Sequence, residues 1–264
     1  MGHCLAAPLP SRGVVRVAGT DARKFLQGLV TNDMEKARDG MAIHAGLLTP
    51  QGKILFDFFV VPAGEGFLLE APRSAVAELA KRLSFYRLRA AVEIKEEPSY
   101  SVASAWGRTP SLPGEAIAYV DPRLPDLGLR ILLPSGVSLD GLHCAAATEA
   151  DYDAMRIGLG VPEGGRDFVY GDAFPHEAMF DQLHGVDFAK GCFIGQEVVA
   201  RMEHRGTARK RIVPIEGDRP LCDVLLETPA VAGPLGEARL RALTDPSNYL
   251  GAAQAMVDRV LDGR

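Results

Sequence analysis

Strands and helices alternate irregularly along this sequence, which predicts an α+β fold rather than a doubly wound parallel sheet. Three observations carry the expectation. The 264 residues are 47% hydrophobic and 24% charged, the size and balance of a globular chain with a sizeable core. Period-two segments cluster in the first third of the chain, joined by short turns as antiparallel hairpins are. Helical periods intervene without the regular strand–helix–strand beat of a parallel sheet.

The elements follow in order. Gly13 to Val17 alternates and is β-branched, so it reads as a strand. Gly19-Thr20-Asp21 is a turn that offers Asp21 as N-cap to a helix over Asp21 to Leu29, with Phe25, Leu26 and Leu29 on one face. Ala42 to Leu48 and Lys53 to Val61 read as a hairpin about the turn Thr49-Pro50-Gln51-Gly52, and Phe67 to Glu70 as a third strand. Pro72 to Ser84 has a helical period through Val76, Leu79, Ala80 and Leu83. Strands are expected over Ala90 to Lys95, Ser99 to Ala105 and Ile131 to Leu133, with a proline-rich, loop-like stretch over 107–128. A helix over Ala147 to Leu159, a loop over Glu163 to Tyr170, a helix from about Gly195, a strand over Arg211 to Ile215 and a helix over Gln254 to Leu261 complete the reading.

Bulk properties narrow the function. The net charge of −5 and pI near 5.7 leave any nucleic-acid contact to a local patch. Cys4, Cys144, Cys192 and Cys222 form no Cys-x-x-Cys pair, so neither a zinc ribbon nor an iron–sulfur ligand run is present. A reduced, cytoplasmic compartment is the simplest expectation from them. The N-terminus lacks a signal-peptide pattern, and no apolar run is long enough to span a bilayer. Nucleotide-binding glycine fingerprints, Walker loops, Gly-x-Ser-x-Gly and His-Glu-x-x-His are absent.

Three constellations carry chemistry. Cys192 lies just before a helix start, with Lys190 two residues away, and both features favour a thiolate. A nucleophile, a redox-sensitive thiol, a single metal ligand and a small buried residue at a tight turn all remain open for it. Arg201, His204, Arg205, Arg209, Lys210 and Arg211 form a basic stretch that suits a polyanionic ligand or a solvated helix end. Asn32, Asp33, Gln51, Asp57 and Glu177 are lone acids and amides. Asp57 stands in an apolar strand, where a carboxylate is costly unless it is paired or at an outward position.

Lys190-Gly191-Cys192-Phe193-Ile194-Gly195-Gln196-Glu197 resembles the YgfZ signature, in which the cysteine and the Gly-Gln-Glu end recur. Asp21 to Leu29 with Thr31-Asn32-Asp33, Leu47 to Lys53, Tyr86-Arg87-Leu88-Arg89 and Phe174-Pro175-His176-Glu177 are similar to further blocks of that family. The likeness covers roughly 13–215 and is weakest over 97–145. It implies the architecture of the glycine-cleavage T-protein, a multi-unit arrangement around a central folate cavity. Residues 1–207 would be the folate-binding core, its two interleaved units meeting near 97–145, and 208–264 a smaller, shortened β-rich unit. Tetrahydrofolate or a derivative is the implied cofactor, with Asn32, Asp57, Glu177 and Arg201 as its contacts and Cys192 as a reactive thiol. Iron–sulfur proteins or their assembly factors are the implied partners, with tRNA modification an indirect consequence and nucleic acid not a primary partner. Two acids of the T-protein pattern are replaced, by Phe56 and Gly158, which argues against glycine cleavage. An aminomethyltransferase and a tRNA- or protein-binding module are the competing functions.

Overall fold

The computed structural model describes residues 3–205, 210–212, 226 and 236–244. The chain divides into two units, Met1–Ile212 and Val213–Arg264. The first holds strands β1 (Leu5–Pro8) and β2 (Arg12–Ala18), helix α1 (Ala22–Gln27), strands β3 (Ile43–Leu48), β4 (Ile54–Ala63) and β5 (Gly66–Pro72), and helix α2 (Arg73–Tyr86). There follow strands β6 (Glu93–Glu96), β7 (Tyr100–Trp106), β8 (Ile117–Val120), β9 (Leu129–Pro134) and β10 (Ala145–Ala146), then helices α3 (Glu149–Gly158) and α4 (Gln196–Arg205). Of the second unit, helix α5 (Glu237–Thr244) is described. The expected helix over Gln254 to Leu261 lies outside the described residues, as does the expected strand beyond Ile212, and Arg211 and Ile212 themselves are outside regular structure. Among the described residues no helix is long and apolar enough to cross a membrane.

The fold is α+β as expected. Two five-stranded sheets run in the orders β10-β1-β7-β9-β8 and β3-β4-β5-β2-β6. Antiparallel pairing dominates, and β1 with β10 is a parallel pair. The second sheet is apolar on both faces, and its strands sort their residues by period two. From β4, Phe56, Phe58 and Val60 join Phe67 and Leu69 of β5 beneath α2, where Val76, Leu79 and Leu83 pack. The alternate residues Phe59, Val61 and Leu68 turn the other way and meet Ala7, Val102, Tyr119, Leu132 and Tyr152.

That second face also carries Arg12 and Glu70, both buried. Glu70 accepts from Arg12 Nε at 2.9 Å, from Tyr119 Oη at 2.5 Å and from Arg130. Arg12 continues to Glu163 at 2.7 Å, and Arg130 donates to Tyr152 Oη at 2.7 Å. Arg123 donates to that same hydroxyl at 2.9 Å and grips Asp121 with two bonds of 3.0 and 2.7 Å. Three guanidinium groups surround the Phe59 ring, those of Arg123 and Arg130 at 4.9 Å and that of Arg12 at 5.8 Å.

Several local expectations are corrected. Asp21 makes no side-chain cap on α1; its Oδ2 accepts the Ala91 amide at 2.8 Å, tying the helix start to the segment that enters β6. That strand begins at Glu93 rather than at Ala90. The 107–128 stretch contains β8, and β1 precedes the first expected strand. Cys4 and Cys144 are joined as a disulfide, so the fully reduced reading of the cysteines does not hold.

The Glu70 cluster makes a prediction. Burial pushes the Glu70 carboxyl up, but Arg130 and Arg12 outweigh it and hold the group down at about 2, against 4.5 unperturbed. Its contribution to stability is therefore complete above about pH 4.5 and lost as pH falls to about 2. Glu70→Gln should cost about 3–5 kcal/mol at neutral pH, because two buried arginines lose their shared counter-charge. Urea unfolding across that pH window should show a flatter acid limb in the variant than in the parent.

Candidate functional site

Three of the segments that resemble known blocks lie far apart in sequence and converge in the fold. Thr31, Asn32 and Asp33 leave α1, Thr49 to Gly52 turns β3 into β4, and Gly185 to Val198 passes both. Thr31 Oγ1 donates to the Gly185 carbonyl at 2.5 Å and accepts the Gly46 amide at 2.8 Å. Asn32 Nδ2 donates to the carbonyls of His44 and His184 at 2.8 and 2.7 Å, while its Oδ1 accepts the Asp33 amide at 2.8 Å. Both hydrogens of the Asn32 amide are thus used in holding three segments together.

Lys190 fixes the near side of the cysteine loop. Its Nζ is buried and donates to the carbonyls of Gln27, Val30 and Asn32 at 2.8, 2.6 and 2.9 Å. An ammonium at the exposed carbonyl end of α1 satisfies groups the helix leaves unpaired. Burial pushes the Lys190 ammonium down to about 8, with Asp33 and Asp187 opposing. Its three ammonium hydrogens are taken by the three carbonyls, so Lys190 acts on the thiol by its charge and not by a hydrogen bond. Asp187 supports the same corner, accepting the Ala189 and Lys190 amides at 2.8 and 3.2 Å and pairing with Lys36 at 2.9 Å.

Gly195 fixes the far side. Its φ of 80° lies in the left-handed region, and a Cβ there would stand 2.5 Å from the Thr49 carbonyl oxygen and 3.0 Å from Gly52 Cα. Gly52, at φ 81°, is equally confined by Val198 of α4, at 2.9 Å from a would-be Cβ. The two glycines let α4 start directly against the β3–β4 turn. Phe193 and Val199 are buried with Leu48, Ile54, Phe168 and Phe180. Between these anchors Gly191 and Cys192 are exposed, and Cys192 is a free thiol. The alternative of a buried cysteine at a tight turn is excluded. Gln196 is half-buried, and exposed Glu197 pairs with exposed Arg201 at 2.6 Å along α4.

A second group is enclosed. Asp57 is buried, accepts the Tyr170 hydroxyl, and has its Oδ2 3.8 Å from His44 Nε2, so it is not at an outward or edge position. Burial pushes the Asp57 carboxyl up, and His44, Arg12 and Tyr170 together bring it below the ordinary range. His44 Nδ1 lies 3.3 Å from the Leu183 carbonyl oxygen, and its Nε2 has no hydrogen-bond partner. His44 and Tyr170 were not singled out from sequence, although a histidine in the fully apolar strand β3 was a usable signal. Glu177 is half-buried and folds onto its own turn, accepting the Phe174 amide at 2.9 Å. It lines a surface pocket of about 370 Å³ with Lys53, Asp172, Lys210 and Arg211.

Two arginines of the basic stretch carry acidic partners. Arg201 is paired with Glu197, and Arg211 grips Asp181 with two bonds of 2.9 and 2.6 Å. Arg209 lies outside the described residues. His176, Asp181 and Glu203 offer ligand atoms within 4.8 Å of one another, the sort of trio that holds a metal ion, but the Arg211 guanidinium already sits on Asp181. Phe56 is part of the apolar core, and Gly158 closes α3 with open space beside it.

No family model matches the chain. Among curated proteins it is similar to the mitochondrial iron–sulfur cluster assembly factor IBA57 homolog of Mycosarcoma maydis, 37% identical over 228 residues, covering 79% of this chain and 56% of that protein. The homologs of the same name in Neurospora crassa and Chaetomium globosum are 33% and 34% identical, with 78% and 79% of this chain matched to 52% and 55% of theirs. The chain thus spans about half the length of the curated relatives it matches. Their names call them mitochondrial, which overturns the expectation of a cytoplasmic compartment. Among solved structures, the glycine cleavage system aminomethyltransferase T of Bartonella henselae superposes with a TM-score of 0.63 at 15% identity, over 77% of this chain and 64% of that one. At that level of superposition the chain has the aminomethyltransferase T fold.

Proposed function

We propose that this chain is a tetrahydrofolate-binding accessory factor in the assembly or repair of iron–sulfur proteins, and that Cys192 is its working thiol. The observation that carries the reading is the Cys192 loop, an exposed free thiol on a segment pinned by Lys190 at one side and by Gly195 at the other. The similarity to named iron–sulfur cluster assembly factors gives that thiol a chemistry. Clusters are held by several thiolates. Among the described residues Cys192 is the exposed free thiol and supplies one ligand, Cys222 lying outside them; the remaining ligands would come from a partner that carries or receives the cluster. Rigid anchoring suits that task, because a held loop loses little freedom on docking.

The folate part of the reading rests on the fold and on the signature blocks. Asn32, Asp57, Glu177 and Arg201 are its proposed contacts. Asp57 is the strongest of them, an ionised carboxylate enclosed with Tyr170 and His44. Asn32 acts chiefly by shaping the site, since both of its amide hydrogens are already donated to carbonyls. Phe56 and Gly158 favour an accessory role over aminomethyl transfer, because neither position offers a carboxylate.

Two measurements test this. Calorimetric titration of the full chain with tetrahydrofolate should give saturable binding that Asp57→Asn weakens by about tenfold or more; absence of any binding heat would sink the folate claim. Cys192→Ser should leave the thermal midpoint within about 1 °C, as expected for an exposed side chain with no buried contacts. The same variant should fail to restore iron–sulfur enzyme activities in a strain deleted for this protein, and full restoration would remove Cys192 from the mechanism.

A further inference from the structure

Helix α2 ends in the run Phe85-Tyr86-Arg87-Leu88-Arg89-Ala90, and its two ends are held. Tyr86 and Ala90 pack against the core under the second sheet, and the next residue, Ala91, donates its amide to Asp21 at 2.8 Å. Between them Leu88 adopts φ 44°, a left-handed conformation that branched L side chains rarely adopt. Strain of this kind is normally offset by burial, yet Leu88 is 88% exposed and Phe85, one turn earlier, is 64% exposed. The fold spends conformational energy to hold a leucine in water.

Charge surrounds this apolar pair. Arg87 and Arg89 flank Leu88, are exposed, and have no carboxylate partner among the described residues. Arg82, one turn back on α2, is loosely paired with Glu78 at 3.9 Å. A surface hollow of about 560 Å³ opens beside the run, reaching Gly19 on one side and Glu93 on the other. Glu93 is drawn to Lys95 at 3.3 Å, and Glu65 also lines the hollow, so two exposed arginines stand there against one unpaired carboxylate among the described residues. The place is separate from the thiol loop. Gly195 meets the turn beside β3, at one edge of the second sheet, whereas this run leads into β6 at the other.

We propose that Phe85, Leu88 and the flanking Arg87 and Arg89 form a docking surface for a protein partner that presents an apolar side chain between carboxylates. The apolar pair calls for a group to bury, which a phosphate backbone lacks, and the unpaired guanidinium groups call for acids. The net charge of −5 works against a polynucleotide as the occupant. This surface goes beyond the folate and thiol reading and does not depend on it.

The test is fluorescence anisotropy on the full chain at low salt, with a labelled peptide carrying adjacent leucine and phenylalanine between pairs of glutamates. Saturable binding is expected, weakened about tenfold or more by Arg87→Glu with Arg89→Glu, and also weakened by replacing the peptide's apolar residues with serine. Leu88→Gly should raise the thermal midpoint while weakening the peptide, a combination that a purely structural leucine does not give. The proposal is overturned if the peptide does not bind, if the double charge reversal leaves binding intact, if a peptide with lysines in place of the glutamates binds equally, or if a single-stranded RNA oligonucleotide binds more tightly.

Discussion

Glu70 sits fully buried on β5 with two arginines and a tyrosine donating to it, and the mating of the two sheets is organised around that fact. A lone carboxylate in such a place would be too costly to keep ionised, and lone arginines would be no better. Together they are tolerable only if each sheet supplies its share in register. Arg12 and Glu70 come from β2 and β5 of one sheet, Tyr119 and Arg130 from β8 and β9 of the other, and Tyr152 from α3. Apolar packing would allow the sheets to slide against each other. The directional bonds around Phe59 select one seating, which in turn sets where Asp57, three strand positions from Val60 on the same β4, can meet Tyr170.

The site depends on that seating in a second way. Arg12 reaches Glu163 at 2.7 Å, and Glu163 accepts a further contact from Arg156 of α3 at 3.4 Å. The loop that follows carries Phe168 and Tyr170 into the core beneath the signature segment. Charge between the sheets is thereby connected, through one loop, to the support of Cys192.

Much of the fold was legible because it rests on period two. Phe56, Phe58 and Val60 alternate with Phe59 and Val61, and no knowledge of partners is needed to see a strand there. The short elements were not legible. β1 is four residues with a proline at its end, and β8 interrupts a proline-rich stretch; both are strands only because β7 and β9 offer them a ladder. Asp21 looked like a cap, but an amide seventy residues away outcompeted the helix for it. In the site, Cys192 and Gly195 stood out in sequence, whereas the work of Lys190 did not. A lysine beside a cysteine suggests activation, and only the fold shows three carbonyls waiting for it. The roles of Arg12 and Glu163 were not legible for the same reason, since their partners are distant in the chain.

The bridge between Cys4 and Cys144 joins residues 140 positions apart. Nearly all of both sheets lies between its ends. A protease that cut once anywhere in that span, in the exposed run after α2 for example, would therefore release nothing: both pieces would migrate as one molecule until a reductant was added. Integrity of the covalent chain and integrity of the polypeptide thread are separate properties in this protein, and gels run with and without thiol would report them separately.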